Sequence, residues 1–236
     1  MRHWEKRRKQ IDEKSIRKAL MPELKLIRNV ELREKAVDAW TLACRLGGYT
    51  RLEDIPTEAF DWMPNVSNIQ HQKDAARIAS VLANVLVDLG VELNKDYCVT
   101  GALCHDLGKA MEWRSQQPGV YTIRKGVGVF YGKNPNMPSI GRVASYQIAR
   151  HSTWSFHIAM TVEMPEHIAH IVGSHSREGE LLLRSPEAWV VRRADEIWWE
   201  QVARQEMGGY PGAPMPDRLE ELSHVRQLGS RKKKER

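Results

Sequence analysis

Residues 101–109 read Gly-Ala-Leu-Cys-His-Asp-Leu-Gly-Lys, which places an adjacent histidine and aspartate, His105 and Asp106, inside a predicted helix over 96–113. Neighbouring side chains leave a helix about 100° apart. Both can therefore face one site only if that site lies at the centre of a helical bundle. The stretch predicts such a bundle, with polar side chains at its centre.

Apolar residues recur at helical spacing along most of the 236-residue chain. Apart from the central helix, the predicted helices lie within 1–40 and over 36–46, 69–90, 140–162, 165–175 and 185–206. Pro22 divides the first of these runs, and Gly47-Gly48 ends the second. The predicted fold class is all-α.

One segment, residues 117–139, departs from the helical pattern because it is rich in glycine and proline and contains short alternations of apolar and polar residues. This pattern predicts a small flap that could form a β-hairpin. We expect a basic helical extension over 1–40, a helical domain over 41–207 that includes the flap, and an irregular basic tail over 208–236.

Positive charge is concentrated at the two ends of the chain. The net charge is +6, but residues 1–35 carry 12 basic against 6 acidic residues, and residues 226–236 carry 6 against 1. Such ends are compatible with nucleic-acid binding, although solvated helix and tail faces explain them better. Apolar runs stay below the roughly 18 residues of a membrane span, so we expect no membrane insertion.

The three cysteines lack the spacing of a zinc site or a disulfide framework. They favour a reducing compartment, and we expect a cytoplasmic protein.

Helical phase separates the inward-facing polar residues from the others. Four of them fall on the apolar stripes of four predicted helices: His71, His151, His175 and Asp195. His157, His167 and His170 fall off the stripes and are expected at the surface. A single buried histidine is usually a hydrogen-bonded core residue, but several inward polar groups in one small domain must share its centre.

Together with His105 and Asp106, these residues make a set of four histidines and two aspartates. Imidazole and carboxylate groups suit divalent transition metals such as Mn, Fe, Co, Ni or Zn, whereas Mg and Ca prefer all-oxygen ligands. We interpret the set as a site for two ions with Asp106 between them. It implies chemistry by a metal-activated water, or by dioxygen if the metal is iron.

Three features follow one another along the chain: His71, the sequence His-Asp-Leu-Gly-Lys at 105–109, and Asp195 within Arg-Arg-Ala-Asp. This order resembles the HD-domain superfamily of metal-dependent phosphohydrolases over about residues 66–200. The resemblance implies an all-α bundle. It also implies that His71, His105, Asp106 and Asp195 hold one metal. His151 and His175 resemble the additional ligands of the binuclear branch, which includes cyclic-dinucleotide phosphodiesterases and diiron oxygenases.

The sequence departs from both of those subgroups. His175 opens His-Ser-Arg-Glu-Gly-Glu, where the cyclic-dinucleotide enzymes have His-His-Glu followed by Gly-Tyr-Pro. Asp61 and Trp62 stand before His71, where the phosphonate-cleaving oxygenases carry a tyrosine and a glutamate.

Phosphoester hydrolysis of a small, nucleotide-like substrate is the function that we favour. The resemblance implies that Asp106 orients the attacking water and that Lys109 neutralises a phosphate oxygen. Further candidate phosphate contacts are Arg124, Lys125, Lys133 and Arg177.

Three other functions stay open. A mixed-valence diiron oxygenase acting on a small organic or phosphonate substrate would use the same six ligands. A hydrolase of a non-phosphate bond would use the aromatic residues near the site as its pocket: Trp62, Trp113, Tyr121, Phe130, Tyr131 and Trp154. The non-enzymatic alternative is a regulatory binding module. The pair Trp198-Trp199 is compatible with a subunit contact in a homodimer.

Overall fold

The computed structural model describes residues 11–55, 57, 67–112, 114–115, 140–141 and 150–203. Within these ranges the protein is all-α, as predicted, apart from one short pair of strands. The α-helices are α1 (Glu13–Leu20), α2 (Val30–Gly47), α3 (Asn68–Asp88), α4 (Lys95–Cys104), α5 (Lys109–Glu112), α6 (His151–Thr161), α7 (Glu166–Ser174) and α8 (Pro186–Ile197).

Shorter helical turns connect or follow these elements. Three 3₁₀ turns lie at Glu23–Leu26, Leu52–Asp54 and Arg177–Gly179, and a π-helical turn spans Trp198–Ala203. None of the helices in the described ranges is long and apolar enough to cross a membrane.

Short polar side chains begin most of the long helices. Asp12 accepts a hydrogen bond from the amide of Ser15 at the start of α1, and Asn29, Ser67, Asn94 and Ser185 do the same for α2, α3, α4 and α8. At its other end α2 stops where predicted, because Gly48 adopts the left-handed conformation with φ 77°.

The core lies where α3 and α4 pack against each other and against α8, and α7 packs against α4. Trp40 of α2 is fully buried and donates a hydrogen bond from Nε1 to the carbonyl of Leu103 at 3.0 Å. The backbone just before His105 is thereby tied to α2.

Residues from 11 onward contribute to this same core. Ile16, Leu20 and Leu24 are buried in it, and Nζ of Lys73 on α3 lies 3.2 Å from the buried carboxylate of Glu23.

The predicted boundary near residue 40 falls within α2. The domain limits stay a prediction. The described residues divide between two compact units, one ending at Trp198 and the other beginning at Trp199.

Two predicted helices have different limits in the structure. The helix expected over 96–113 is interrupted by a turn over 105–108, between α4 and α5. The helix expected over 140–162 corresponds to α6, which begins at His151, whereas Ile140–Gly141 forms a strand, β2, that pairs antiparallel with β1 (Arg114–Ser115); residues 142–149 lie outside the described part of the chain. These strands flank the predicted flap, which lies outside the described residues.

The turn at 105–108 is accompanied by a close backbone contact. A Cβ atom on Gly108 would collide with the carbonyl of His151, and the amide of Gly108 donates to Oγ of Ser155 at 2.9 Å. Only glycine permits α6 to approach this closely. The contact brings the first turn of α6 directly beside His105 and Asp106.

Candidate metal centre

Five helices deliver the six predicted ligands to one place. His71 lies in the first turn of α3, His105 and Asp106 follow α4, His151 begins α6, and His175 follows α7. Asp195, the sixth, lies in the third turn of α8. All except Asp195, which is half-buried, are buried in the structure.

Asp106 lies between two pairs of histidines. Its Oδ2 atom is 3.4 Å from Nε2 of His71 and 3.5 Å from Nε2 of His105. Its Oδ1 atom is 3.4 Å from Nε2 of both His151 and His175. One carboxylate therefore presents a different oxygen to each pair.

Asp195 completes the group around the first pair. Its Oδ1 atom lies 3.1 Å from Nε2 of His71 and 3.7 Å from Nε2 of His105. These two histidine nitrogens are 3.0 Å apart. The donor atoms of His105, His175 and Asp195 also lie within 4.8 Å of one another, so the two halves of the site are continuous.

The backbone fixes which ring nitrogen of two histidines faces the centre. The Nδ1 atom of His105 is 2.7 Å from the carbonyl of Ala102, and that of His175 is 2.8 Å from the carbonyl of Val172. Each contact requires a proton on Nδ1 and leaves Nε2 available as a ligand atom. Both histidines cap helix C-termini, where carbonyls lack intrahelical donors.

The electrostatic environment keeps both carboxylates ionised. Burial alone would raise the pKa of Asp106, but Lys109, His105 and His151 outweigh it and hold that pKa well below its ordinary value. For Asp195, burial is likewise outweighed by the adjacent His105 and His71, which hold its pKa well below the ordinary value.

Two histidines of the cluster shift in opposite directions. Burial lowers the pKa of His105, but the carboxylates of Asp106 and Asp195 outweigh burial and raise it to about 10. Burial instead dominates at His175, whose pKa is lowered even though Asp106 opposes the shift. Of these two histidines, His105 therefore lies where the two carboxylates favour positive charge more strongly.

The residues present fit a divalent transition metal. Oδ1 of Asp106 and Oδ1 of Asp195 are buried and accept no hydrogen bond from the residues that the structure describes. Candidate ligand atoms lie within 4.8 Å of one another in each of two groups. One group contains His71, His105 and Asp106, and the other contains Asp106, His151 and His175. Buried carboxylate oxygens of this kind are costly unless a cation satisfies them.

Two buried amides hold the backbone of Asp106, and sequence reasoning missed both. Nδ2 of Asn68 donates to the carbonyl of Asp106 at 3.1 Å, and the amide of Asp106 donates to Oε1 of Gln72 at 3.4 Å. The signal was available, since Asn68 and Gln72 lie on the same helical face as His71 and Ala75.

Lys109 is buried beside Asp106. Its Nζ atom lies 3.0 Å from Oδ2 of Asp106 and donates a hydrogen bond to the carbonyl of Thr57. The amine is thus held against the centre, next to the first histidine pair. Its predicted contact with a phosphate oxygen stays a prediction.

Of the predicted substrate contacts, only Arg177 lies within the described residues, and it is exposed. Arg124, Lys125 and Lys133 fall in the predicted flap, outside those residues. The structure adds Arg150, which directly precedes His151 and binds Oε1 of Glu178 at 3.0 Å.

A model of the HD domain matches residues 68–198, more than half of the chain. The matched range contains all six residues of the cluster. No curated protein and no solved structure matches the chain significantly. The chain belongs to the HD-domain family.

Proposed function

We propose that this HD domain is a metal-dependent hydrolase that cleaves a phosphoester bond of a small, nucleotide-like substrate at a site for two metal ions. The observation that supports this proposal is the position of Asp106. Its two carboxylate oxygens lie 3.4–3.5 Å from two different histidine pairs, as a carboxylate shared by two ions would require.

The cluster divides into two adjacent donor sets. His71 and His105 lie near Oδ2 of Asp106 and also contact Asp195, whereas His151 and His175 lie near Oδ1. Histidine and aspartate in these proportions suit Mn, Fe, Co, Ni or Zn. When bound, two such ions lower the pKa of a coordinated water and stabilise the negative charge of a phosphoryl group during displacement.

The charge of the site favours an anionic substrate. As metal ligands, the six side chains would supply two carboxylates and four imidazoles, so two divalent ions would leave an excess of positive charge. Lys109 adds a further positive charge beside Asp106. A phosphate ester carries the opposite charge and is attracted to such a centre.

The protein's own residues orient this centre. Asn68 and Gln72 fix the peptide of Asp106, and Lys109 holds its Oδ2 atom, so the shared carboxylate has little freedom to turn. The Asp195 and His151 side chains, 17 % and 11 % exposed, are the most accessible of the six. We infer that substrate approaches from their side, where Arg150 and Arg177 are exposed.

The test is a hydrolysis assay on protein reconstituted with Mn²⁺ or Co²⁺. We expect metal-dependent release of p-nitrophenol from p-nitrophenyl phosphate or bis-p-nitrophenyl phosphate, followed by activity on a nucleotide panel. Asp106→Asn should abolish the activity. Asp88→Asn, an exposed aspartate at the end of α3, should leave it unchanged.

Other results would contradict phosphoester hydrolysis. Oxygen uptake by iron-loaded protein, without phosphoesterase activity, would favour the diiron oxygenase. Cleavage of p-nitrophenyl acetate but not of the phosphates would favour hydrolysis of a non-phosphate bond. A fully metal-loaded protein without any of these activities would favour the regulatory module.

A further inference from the structure

Arg184 is a buried arginine in the loop between the 3₁₀ turn Arg177–Gly179 and α8. It is only 7 % exposed. Its Nε atom donates to the carbonyl of Ser174 at 2.7 Å, and its Nη2 atom donates to the carbonyl of Ser176 at 2.9 Å. The two carbonyls belong to the residues on either side of His175.

The geometry of a guanidinium group makes this contact restrictive. Its N–H donors point in fixed directions within one plane, so two carbonyls bound to the same group are held at a set separation and angle. The carbonyl of Ser174 also lies at the C-terminus of α7, where carbonyls lack intrahelical donors. Arg184 therefore supplies a donor at a helix end and fixes the peptides flanking His175.

The ring of His175 depends on that local backbone. Its Nδ1 atom is 2.8 Å from the carbonyl of Val172, and its Nε2 atom is 3.4 Å from Oδ1 of Asp106. A rotation of the backbone at residue 175 would change both distances together. The peptide contacts of Arg184 and the Nδ1 contact thus restrain the same ring from two directions.

Neighbouring residues hold the guanidinium in place. The Cζ atom of Arg184 lies 5.3 Å from the centre of the Trp189 ring, within cation–π range. Nη1 of Arg192 makes a longer contact of 3.5 Å with the carbonyl of Ser176, and its Nη2 atom binds Glu180 at 2.7 Å. The loop that carries Arg184 is therefore anchored to α8.

We propose that Arg184 is a positioning residue for the half of the metal centre formed by His151, His175 and Oδ1 of Asp106. It binds no metal itself. It keeps His175 oriented for metal binding, and the inference rests on the two-metal site proposed above.

The experiment compares Arg184→Gln and Arg184→Lys with Arg193→Gln in the full-length chain. Arg193 is a matched control because its Cζ atom also lies 5.3 Å from the Trp189 ring, whereas its side chain is 60 % exposed and pairs with Glu196. Each protein is reconstituted with Co²⁺, and binding is followed by metal content and by the visible Co²⁺ spectrum. Circular dichroism and thermal unfolding check the fold.

We expect Arg184→Gln to bind the second Co²⁺ equivalent about 10–100-fold more weakly than the wild type, as is typical when a residue behind a metal ligand is removed. The first equivalent should be unaffected. Arg184→Lys keeps the charge but offers one nitrogen for two carbonyls, so we expect a smaller loss of the same equivalent. Arg193→Gln should bind both equivalents as the wild type does.

Wild-type affinity for both equivalents in the folded Arg184 variants would overturn the inference, and so would an equal loss of the two. If Arg184→Gln does not fold, Arg184→Lys decides by the same criteria. Failure of the two-metal site on which the inference rests is distinguishable, because the wild type itself would then take up fewer than two equivalents.

Discussion

Lys109 and Asp106 form an ion pair in the interior of the protein, with Nζ 3.0 Å from Oδ2. Both side chains are at most 5 % exposed. Removing one partner of a buried pair leaves the other charge uncompensated, which typically costs about 3–5 kcal/mol. In this pair, the charge left behind would be that of the proposed shared ligand.

We therefore predict that Lys109→Met lowers the free energy of unfolding of the metal-free protein by about 3–5 kcal/mol. The loss should be smaller in the presence of Mn²⁺ or Zn²⁺, because a bound cation would compensate Asp106. Urea unfolding with chelator and with metal measures both values. An equal loss in the two conditions would contradict metal binding at Asp106.

A second prediction concerns the contact between Gly108 and α6. Gly108→Ala places a methyl group against the carbonyl of His151, so we expect a destabilisation of about 1–3 kcal/mol and displacement of His151 from Asp106. Metal analysis should then show loss of the equivalent held by His151 and His175.

Gly90→Ala is the control for that variant. Gly90 has φ 88°, and a methyl group on its Cα atom would meet no neighbouring atom within 4 Å, so alanine there costs about 1–2 kcal/mol through backbone strain alone. Metal content should not change. Equal metal loss in both variants would show that lowered stability, and not the position of His151, controls binding.

The cysteines give a third prediction. Burial, with smaller contributions from nearby carboxylates, raises the pKa of Cys44 and of Cys98 to about 12, and burial raises the pKa of Cys104 further. The thiolate is the reactive form. The folded protein should not react with Ellman's reagent at pH 8, whereas unfolding in guanidinium should release all three thiols; rapid reaction of the folded protein would contradict this burial.

Much of the fold and of the cluster was predictable from helical phase. His71, His151 and His175 share a face with apolar residues, and a polar group on such a face must find partners in the interior. The same phase also places Val85 and Leu89, at the end of α3, on the apolar stripe of His71, and there it is wrong, because these side chains are 51 % and 75 % exposed. Hydrophobic periodicity identifies the apolar stripe of a helix, but it does not show how much of that stripe a neighbouring helix covers.

Contacts to backbone groups were harder to predict. Arg184 lies in a loop and binds two carbonyls, and side-chain patterns do not reveal where carbonyls point. The turn at His105 was missed because α4 and α5 together read as one continuous helix. Gly108 was the available sign of a break, but a glycine alone does not identify the segment that approaches it.

A fourth prediction separates a metal-dependent catalyst from a regulatory module. His71→Ala removes the ligand that lies closest to Asp195, at 3.1 Å. In a catalyst this substitution should lower both the metal content and the turnover rate. We expect turnover to fall by at least about 100-fold, because a bound ion supplies several kcal/mol of transition-state stabilisation. His170→Ala, on the partly exposed side of α7, should affect neither. Full turnover in His71→Ala would exclude His71 from the catalytic centre.

The central claim, that the six residues hold two metal ions, is tested most directly by metal analysis of reconstituted wild type, His151→Ala and His157→Ala. The two histidines lie on the same helix, but His151 faces Oδ1 of Asp106 at 3.4 Å and His157 is exposed. We predict two equivalents of transition metal per chain in the wild type and in His157→Ala, and one in His151→Ala. A wild type that binds no transition metal, or a His151→Ala variant that keeps two equivalents with unchanged affinity, would contradict the account.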